Sequence, residues 1–218
     1  MAGLFRWKIA QKAELQWWKR YLAEKEVLPY LEWKRGYWQQ LLEVCAEYFT
    51  LSPGQRILDA GCGPAGIFIG LTQYPNVHAF DPLLDHYETH LQHFKKAYYP
   101  AVTFYNASLE DFAPAEQFDV IFCLNAINHV KDINRATTNL VQWLKPGGWL
   151  VESIDAHNFG ILKHLFRALP GDVLHPHQYD LKEYKGMFET RGCTVYGERL
   201  LKKEHIFNHY LLLAQKAK

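Results

Sequence analysis

The sequence has no Cys-x-x-Cys pair; its four cysteines, Cys45, Cys62, Cys123 and Cys193, stand far apart. That spacing argues against a disulfide framework or a zinc site and predicts a reduced chain in the cytoplasm. No stretch approaches the roughly 18 consecutive apolar residues of a membrane span, so no stable membrane insertion is expected. The N-terminus carries Arg6, Lys8 and Lys12 but lacks the apolar centre of a signal peptide. An excess of one charge is missing too: 24 basic residues face 23 acidic ones, a net +1. This excludes a chain-wide polyelectrolyte built for nucleic acid. Repeats, low-complexity tracts and Gly/Ser linkers are absent, and 218 residues suit a single domain, 1–218.

What is present in excess is aromatic. Aromatic residues make up 15% of the chain, and five of the seven tryptophans (Trp7, Trp17, Trp18, Trp33, Trp38) fall within the first 38 residues. Residues 4–49 read as two helices separated at Pro29. The first carries Ala10, Ala13, Trp17 and Tyr21 on one stripe; the second carries Leu31, Trp38, Leu41 or Leu42, and Cys45. Residues 1–50 therefore form an N-terminal helical cap, a candidate aromatic lid. Over that stretch eight basic residues against six acidic ones leave +2, too little to drive binding to an anionic membrane surface.

After Ser52-Pro53-Gly54 the texture changes to short apolar runs alternating with helical patterns, as in β-α-β units. Strands are expected at Arg56–Ala60, Val77–Phe80, Val102–Tyr105, Phe118–Leu124, Trp149–Ile154, Thr194–Arg199 and His209–Ala214. Helices are expected near 66–74, 83–97, 132–144 and 180–191. No helix separates the last two strands, so they predict an antiparallel edge pair. Residues 155–180 read as an insertion in the 51–218 core, with a helical stretch near Phe159–Leu169 and then His175-Pro176-His177. The fold class is α/β: a Rossmann-like, seven-stranded, mostly parallel sheet with an antiparallel terminal hairpin and helices on both faces.

The first strand runs into Asp59-Ala60-Gly61-Cys62-Gly63-Pro64-Ala65-Gly66, in which Gly61, Gly63 and Gly66 satisfy G-x-G-x-x-G. Asp81 ends the second strand twenty residues after Gly61, placed to accept hydrogen bonds from ribose hydroxyls. A pyrophosphate at a helix N-terminus disfavours a neighbouring carboxylate, whereas a ligand with an ammonium and a sulfonium welcomes one. Asp59 therefore favours S-adenosyl-L-methionine over NAD as the cofactor.

The chain from about residue 50 to 216 resembles class I S-adenosylmethionine-dependent methyltransferases of the small-molecule type. The resemblance is carried by Ile57–Gly63, by Phe118–Asn125 followed by His129-Val130, and by Leu144-Lys145-Pro146-Gly147-Gly148-Trp149-Leu150, in that order. It implies that Asp59 and Gly61, Cys62 and Gly63 contact the methionine portion and Asp81 the ribose. Ser108 and Leu109 would border the adenine, and Asn125 would lie beside the cofactor. Two positions depart from the family pattern: Ala65 stands where the loop's last glycine falls, and Ser108 replaces the adenine-facing acid. Pro146-Gly147-Gly148 reads as a turn without a chemical role.

Methyl transfer from a sulfonium needs near-attack geometry, with a base only where the acceptor loses a proton. His129 and the pair His175 and His177 are the catalytic candidates. His86, His90 and His93 share a helix face, but no second ligand cluster accompanies them, so they read as solvent-facing and no metal is expected. Arg35 could reach the cofactor's carboxylate, although a solvated position suits it better. No Asn-Pro-Pro-aromatic segment follows the fourth strand, which points away from nucleic acid and towards a small acceptor, apolar or aromatic in body. The competing readings are an NAD-dependent oxidoreductase and a non-catalytic module that docks a partner through the Trp-rich helices.

Overall fold

The computed structural model describes residues 2–158 and 179–218. The chain begins with two helices, α1 (Ala2–Leu22) and α2 (Val27–Ala46). There follow β1 (Ile57–Ala60), β2 (Val77–Phe80), α3 (Leu84–His90), β3 (Val102–Tyr105), β4 (Phe118–Leu124), α4 (Ile133–Trp143) and β5 (Leu144–His157). The last described elements are α5 (Leu181–Glu189), β6 (Cys193–Lys203) and β7 (Phe207–Lys216). Seven strands form one sheet in the order β3-β2-β1-β4-β5-β7-β6, parallel except for β7, which runs antiparallel to both neighbours. The expected α/β, Rossmann-like sheet with its antiparallel hairpin is the observed one.

The central strands are apolar on both faces because both faces are covered. All four residues of β1 are buried, and six of the seven in β4. On one face Ile57, Val120, Val151 and Leu213 join Leu31, Trp38, Leu41 and Cys45 of α2. On the other, Leu58, Ile121, Leu150 and Leu212 pack with Leu140 of α4 and Tyr184 and Phe188 of α5. Local chemistry starts these latter helices. Asp132 accepts the Arg135 N–H at the head of α4, and Asp180 and Glu183 form a reciprocal capping box on α5.

Several expected elements differ. The helix expected near 66–74 is only a 3-10 turn, Ile67–Gly70, because Ile67, Phe68 and Ile69 are all buried and leave no solvent face. The helix expected over 83–97 stops at His90. The Glu88 carboxylate accepts the Lys96 N–H at 2.9 Å, and Leu91 and Phe94 reach the core from irregular backbone. Pro29 lies inside the first turn of α2, where its missing N–H costs nothing, and the helix break falls at residues 23–26. The glycines after Lys145 form a bulge within a continuous β5, opposite Asp119, with Gly147 at φ +76°. That strand also runs through residues 155–157, which the sequence assigned to the insertion. The expected helical stretch Phe159–Leu169, and His175 and His177, lie outside the described residues.

The cap is also more integrated than a lid. α2 seals one face of the sheet, and Trp38 donates its indole N–H to the Ala65 carbonyl at 3.0 Å. The buried stripe of α1 is Ala10, Leu15 and Leu22 rather than the expected Ala10, Ala13, Trp17 and Tyr21; Trp17 remains 49% exposed. The inner side of α1 carries Trp7, Gln11, Glu14 and Trp18, and these face a cleft.

Candidate active site

The cleft opens at the carboxyl ends of β1, β2 and β4. Its floor is the loop after β1. Gly61 and Gly63 adopt φ +70° and +56°, a region that side-chain-bearing residues avoid. A Cβ at Gly61 would also stand 2.5 Å from the Ala126 Cβ, so this backbone can press against the segment after β4 only as glycine. The Gly61 and Cys62 N–H groups both donate to the Phe80 carbonyl, which ties the loop to the end of β2.

Asp81 follows β2 directly and lines the cleft. Its two carboxylate oxygens accept N–H bonds from Leu83 at 2.8 Å and from Gly63 at 3.0 Å. Burial, reinforced by the nearby charge of Glu14, pushes its pKa up to about 7 despite those bonds. Asp59 takes a different place. It is 1% exposed, lies outside the cleft lining, and accepts the Phe68 N–H at 3.1 Å behind the glycine loop. Burial raises its pKa to about 7 as well. Gly66 explains the departure at Ala65: a Cβ at position 66 would collide with the Asp59 carboxylate.

Gly61, Cys62, Gly63, Asp81, Ser108, Leu109, Asn125 and His129 all line this one cleft. Ser108 donates to Asp111 at 2.8 Å, which holds the turn that presents Leu109. Asn125 sits at φ +57° just past β4, its N–H donating to the Ser153 carbonyl. His129 closes a 3-10 turn, Ile127–His129, beside it.

Lys34 was not singled out from the sequence, yet it lines the cleft. Its ammonium stands 4.3 Å over the Trp38 ring, and burial lowers its pKa to about 8. Its position three residues after Leu31 and four before Trp38 marks it as part of the inner face of α2. The neighbouring Arg35 points to solvent, paired with Glu32. Among the triad of helix histidines, His86 and His90 are exposed, but His93 is buried against the Lys25 carbonyl at 2.9 Å. No group of three His, Cys, Asp or Glu residues among the described residues is placed to hold a metal.

Asn125 also lines a second cavity. Asn128, Asp155, Lys202, Glu204, Phe207 and His209 complete its lining. His209 Nδ1 lies 2.8 Å from Asp155 Oδ1, a pair brought together by the β5–β7 register. Sequence reasoning missed it because these residues are 54 positions apart.

A family model described as a methyltransferase domain matches residues 30–198. The chain belongs to that methyltransferase domain family. S-adenosyl-L-methionine is the family's cofactor, and the floor of the cleft fits it: a side-chain-free glycine cradle beside an acidic wall that suits a cation and repels a pyrophosphate. The oxidoreductase reading is thereby set aside. Among curated relatives, this chain is 36% identical over 109 residues to a ubiquinone biosynthesis O-methyltransferase of Rickettsia bellii, covering 50% of this chain and 45% of that protein. A counterpart from Rickettsia prowazekii is 34% identical over 113 residues, covering 49% and 44%. The chain thus spans less than half the length of these curated relatives. Among solved structures, N-methyltransferase NodS from Bradyrhizobium japonicum, in complex with S-adenosyl-L-homocysteine, superposes with a TM-score of 0.63 at 18% identity, over 93% of this chain and 98% of that one. The YcgJ protein from Bacillus subtilis gives 0.66 at 15% identity, over 83% and 99%. These likenesses confirm the fold. No described helix of the chain is long and apolar enough to cross a membrane.

Proposed function

We propose that residues 1–218 act as one catalytic domain that transfers the methyl group of S-adenosyl-L-methionine to an oxygen or nitrogen of a small acceptor. The observation that carries this reading is that Asn125 lines both the glycine-loop cleft and a second cavity. The bound cofactor supplies a methyl group on a positively charged sulfur, open to in-line displacement.

The chain's own residues bind, orient and exclude water. Gly61, Cys62 and Gly63 lie along the methionine portion, with Asp59 bracing their loop from behind. Lys34, rather than Arg35, takes the carboxylate. Asp81 holds the ribose, Ser108 and Leu109 border the adenine, and Asn125 marks the reacting edge. Trp7, Trp18 and Trp38 give the cleft an apolar, aromatic wall that suits an acceptor with an apolar or aromatic body. His129 stands where it can take the acceptor's proton. His175 and His177 remain candidates from the sequence. The Asp155-held His209 favours a second assignment of the base, since a carboxylate on Nδ1 leaves Nε2 to work on the second cavity. The near-neutral charge and four unpaired, buried cysteines support action in the cytoplasm on a small molecule rather than on nucleic acid.

The test is release of S-adenosylhomocysteine from the purified protein with a panel of phenols, catechols, hydroxybenzoates and aromatic amines, alongside RNA and DNA. Turnover with a panel member supports the proposal. Turnover with nucleic acid alone overturns it.

A further inference from the structure

The helix α1 lies wholly before residue 30, where the family match begins, yet it supplies four residues of the cofactor cleft. It passes directly over the glycine loop: a Cβ at Gly63 would lie 3.7 Å from Trp18 Cζ2. On that side of α1, Glu14 lines the same cleft as Asp81, and its charge bears on the Asp81 carboxylate. One Glu14 oxygen accepts the Tyr87 hydroxyl at 3.3 Å, and the other accepts the Gln11 amide N–H at 3.5 Å. With its amide nitrogen so directed, Gln11 presents Oε1, which is buried and has no hydrogen-bond partner.

The result is a one-sided chemistry. Gln11, Glu14 and Asp81 all line one cleft, and each carries acceptor oxygens. Their protein donors (the Gly63 and Leu83 N–H groups, the Tyr87 hydroxyl, the Trp18 indole N–H and the Gln11 amide) leave lone pairs over. A buried acceptor without a donor is costly, and two neighbouring carboxylates repel. A vicinal diol supplies two hydroxyl donors a bond apart and relieves both penalties. Of the parts of the cofactor, only the ribose has that chemistry.

Resting on the cofactor reading above, we propose that α1 completes the ribose subsite, with Gln11 and Glu14 joining Asp81 as acceptors for the two ribose hydroxyls. The appended helix is then a recognition element as well as a cover. A cofactor carrying phosphate on that ribose would meet only acceptors and be rejected.

The test is calorimetric titration of the full chain with S-adenosylhomocysteine and with its 2′,3′-dideoxyribose analogue, using wild type, Gln11→Leu, Glu14→Ala and Glu14→Gln. The expected result is that Gln11→Leu and Glu14→Ala lose about tenfold or more in affinity for S-adenosylhomocysteine but bind the dideoxy analogue as the wild type does. Glu14→Gln, which keeps the shape and one acceptor, should recover part of the loss. Equal losses for both ligands would reduce α1 to a packing element, and unchanged affinities would remove it from the site; either outcome overturns the inference. A folded wild-type chain that binds neither ligand overturns the cofactor reading itself, and the inference falls with it.

Discussion

The carboxylate of Asp59 occupies the space that a side chain at Gly66 would need. Asp59 is thereby locked behind the loop, where it accepts the Phe68 N–H and ties the 3-10 turn to the end of β1. Gly66→Ala should force the two apart. Overpacking of this kind costs about 1–3 kcal/mol, which lowers Tm by several degrees in a chain of this size. Thermal denaturation checks it. Gly54→Ala, at a glycine with open space around its would-be Cβ, should change Tm little.

Gly61 is the more severe position, since φ +70° and the close approach of Ala126 act together. Gly61→Ala should weaken S-adenosylhomocysteine binding at least tenfold by moving the loop away from the segment after β4. Titration calorimetry measures the loss, and circular dichroism establishes that the variant remains folded.

Asp59 and Asp81 both have their pKa raised from 3.8 to about 7, chiefly by burial. The folded chain therefore holds protons that the unfolded chain has released. The stability this confers is complete below about pH 4 and is lost as pH rises through 7. The charges bearing on the pair are Glu14 and Lys34, with Cys62 and Tyr87 held neutral well above this range. Tm of the ligand-free protein should fall between about pH 4 and 7 and level off above that, and Asp81→Asn or Asp59→Asn should flatten the fall. Because the cofactor's positive sulfur favours ionised carboxylates, its binding should release protons near neutrality. Calorimetry in two buffers of different ionisation enthalpy would detect this as a buffer-dependent heat.

Much of the fold was legible because its strands are short, apolar and bounded by turns: β2, β3 and β4 fall at the expected residues. The helical patterns misled where burial was complete. Ile67, Phe68 and Ile69 cannot be assigned to one helix face when all three are covered by α2 and the sheet. The glycine loop and Asp81 were legible because backbone freedom and a strand-end carboxylate are local signals. Asp59 was located correctly, but its direction was not, since that depends on Gly66 and Phe68 in three dimensions. Glu14 and His209 were invisible for a different reason: their partners Tyr87 and Asp155 lie 73 and 54 positions away. Gln11, bonded to Glu14 on its own helix, joins a cleft that is otherwise built from distant elements. The tryptophan excess proved to be divided, with Trp38 in the core, Trp7 and Trp18 on the cleft, and Trp17 and Trp33 exposed.

Lys34 offers the sharpest division of labour within the cleft. Its ammonium lies over the Trp38 ring, partly desolvated, so it gains more from an arriving carboxylate than a fully hydrated lysine would. Lys34→Ala should weaken S-adenosylhomocysteine binding by about tenfold while leaving methylthioadenosine, which has the same nucleoside but no carboxylate, bound as before. Arg35→Ala should alter neither, because Arg35 is engaged with Glu32 on the solvent side of the same helix. A loss of affinity on Arg35→Ala with none on Lys34→Ala would exchange the two roles. Lys34→Arg provides the control for charge, since it keeps the cation while changing its shape and its fit over the ring.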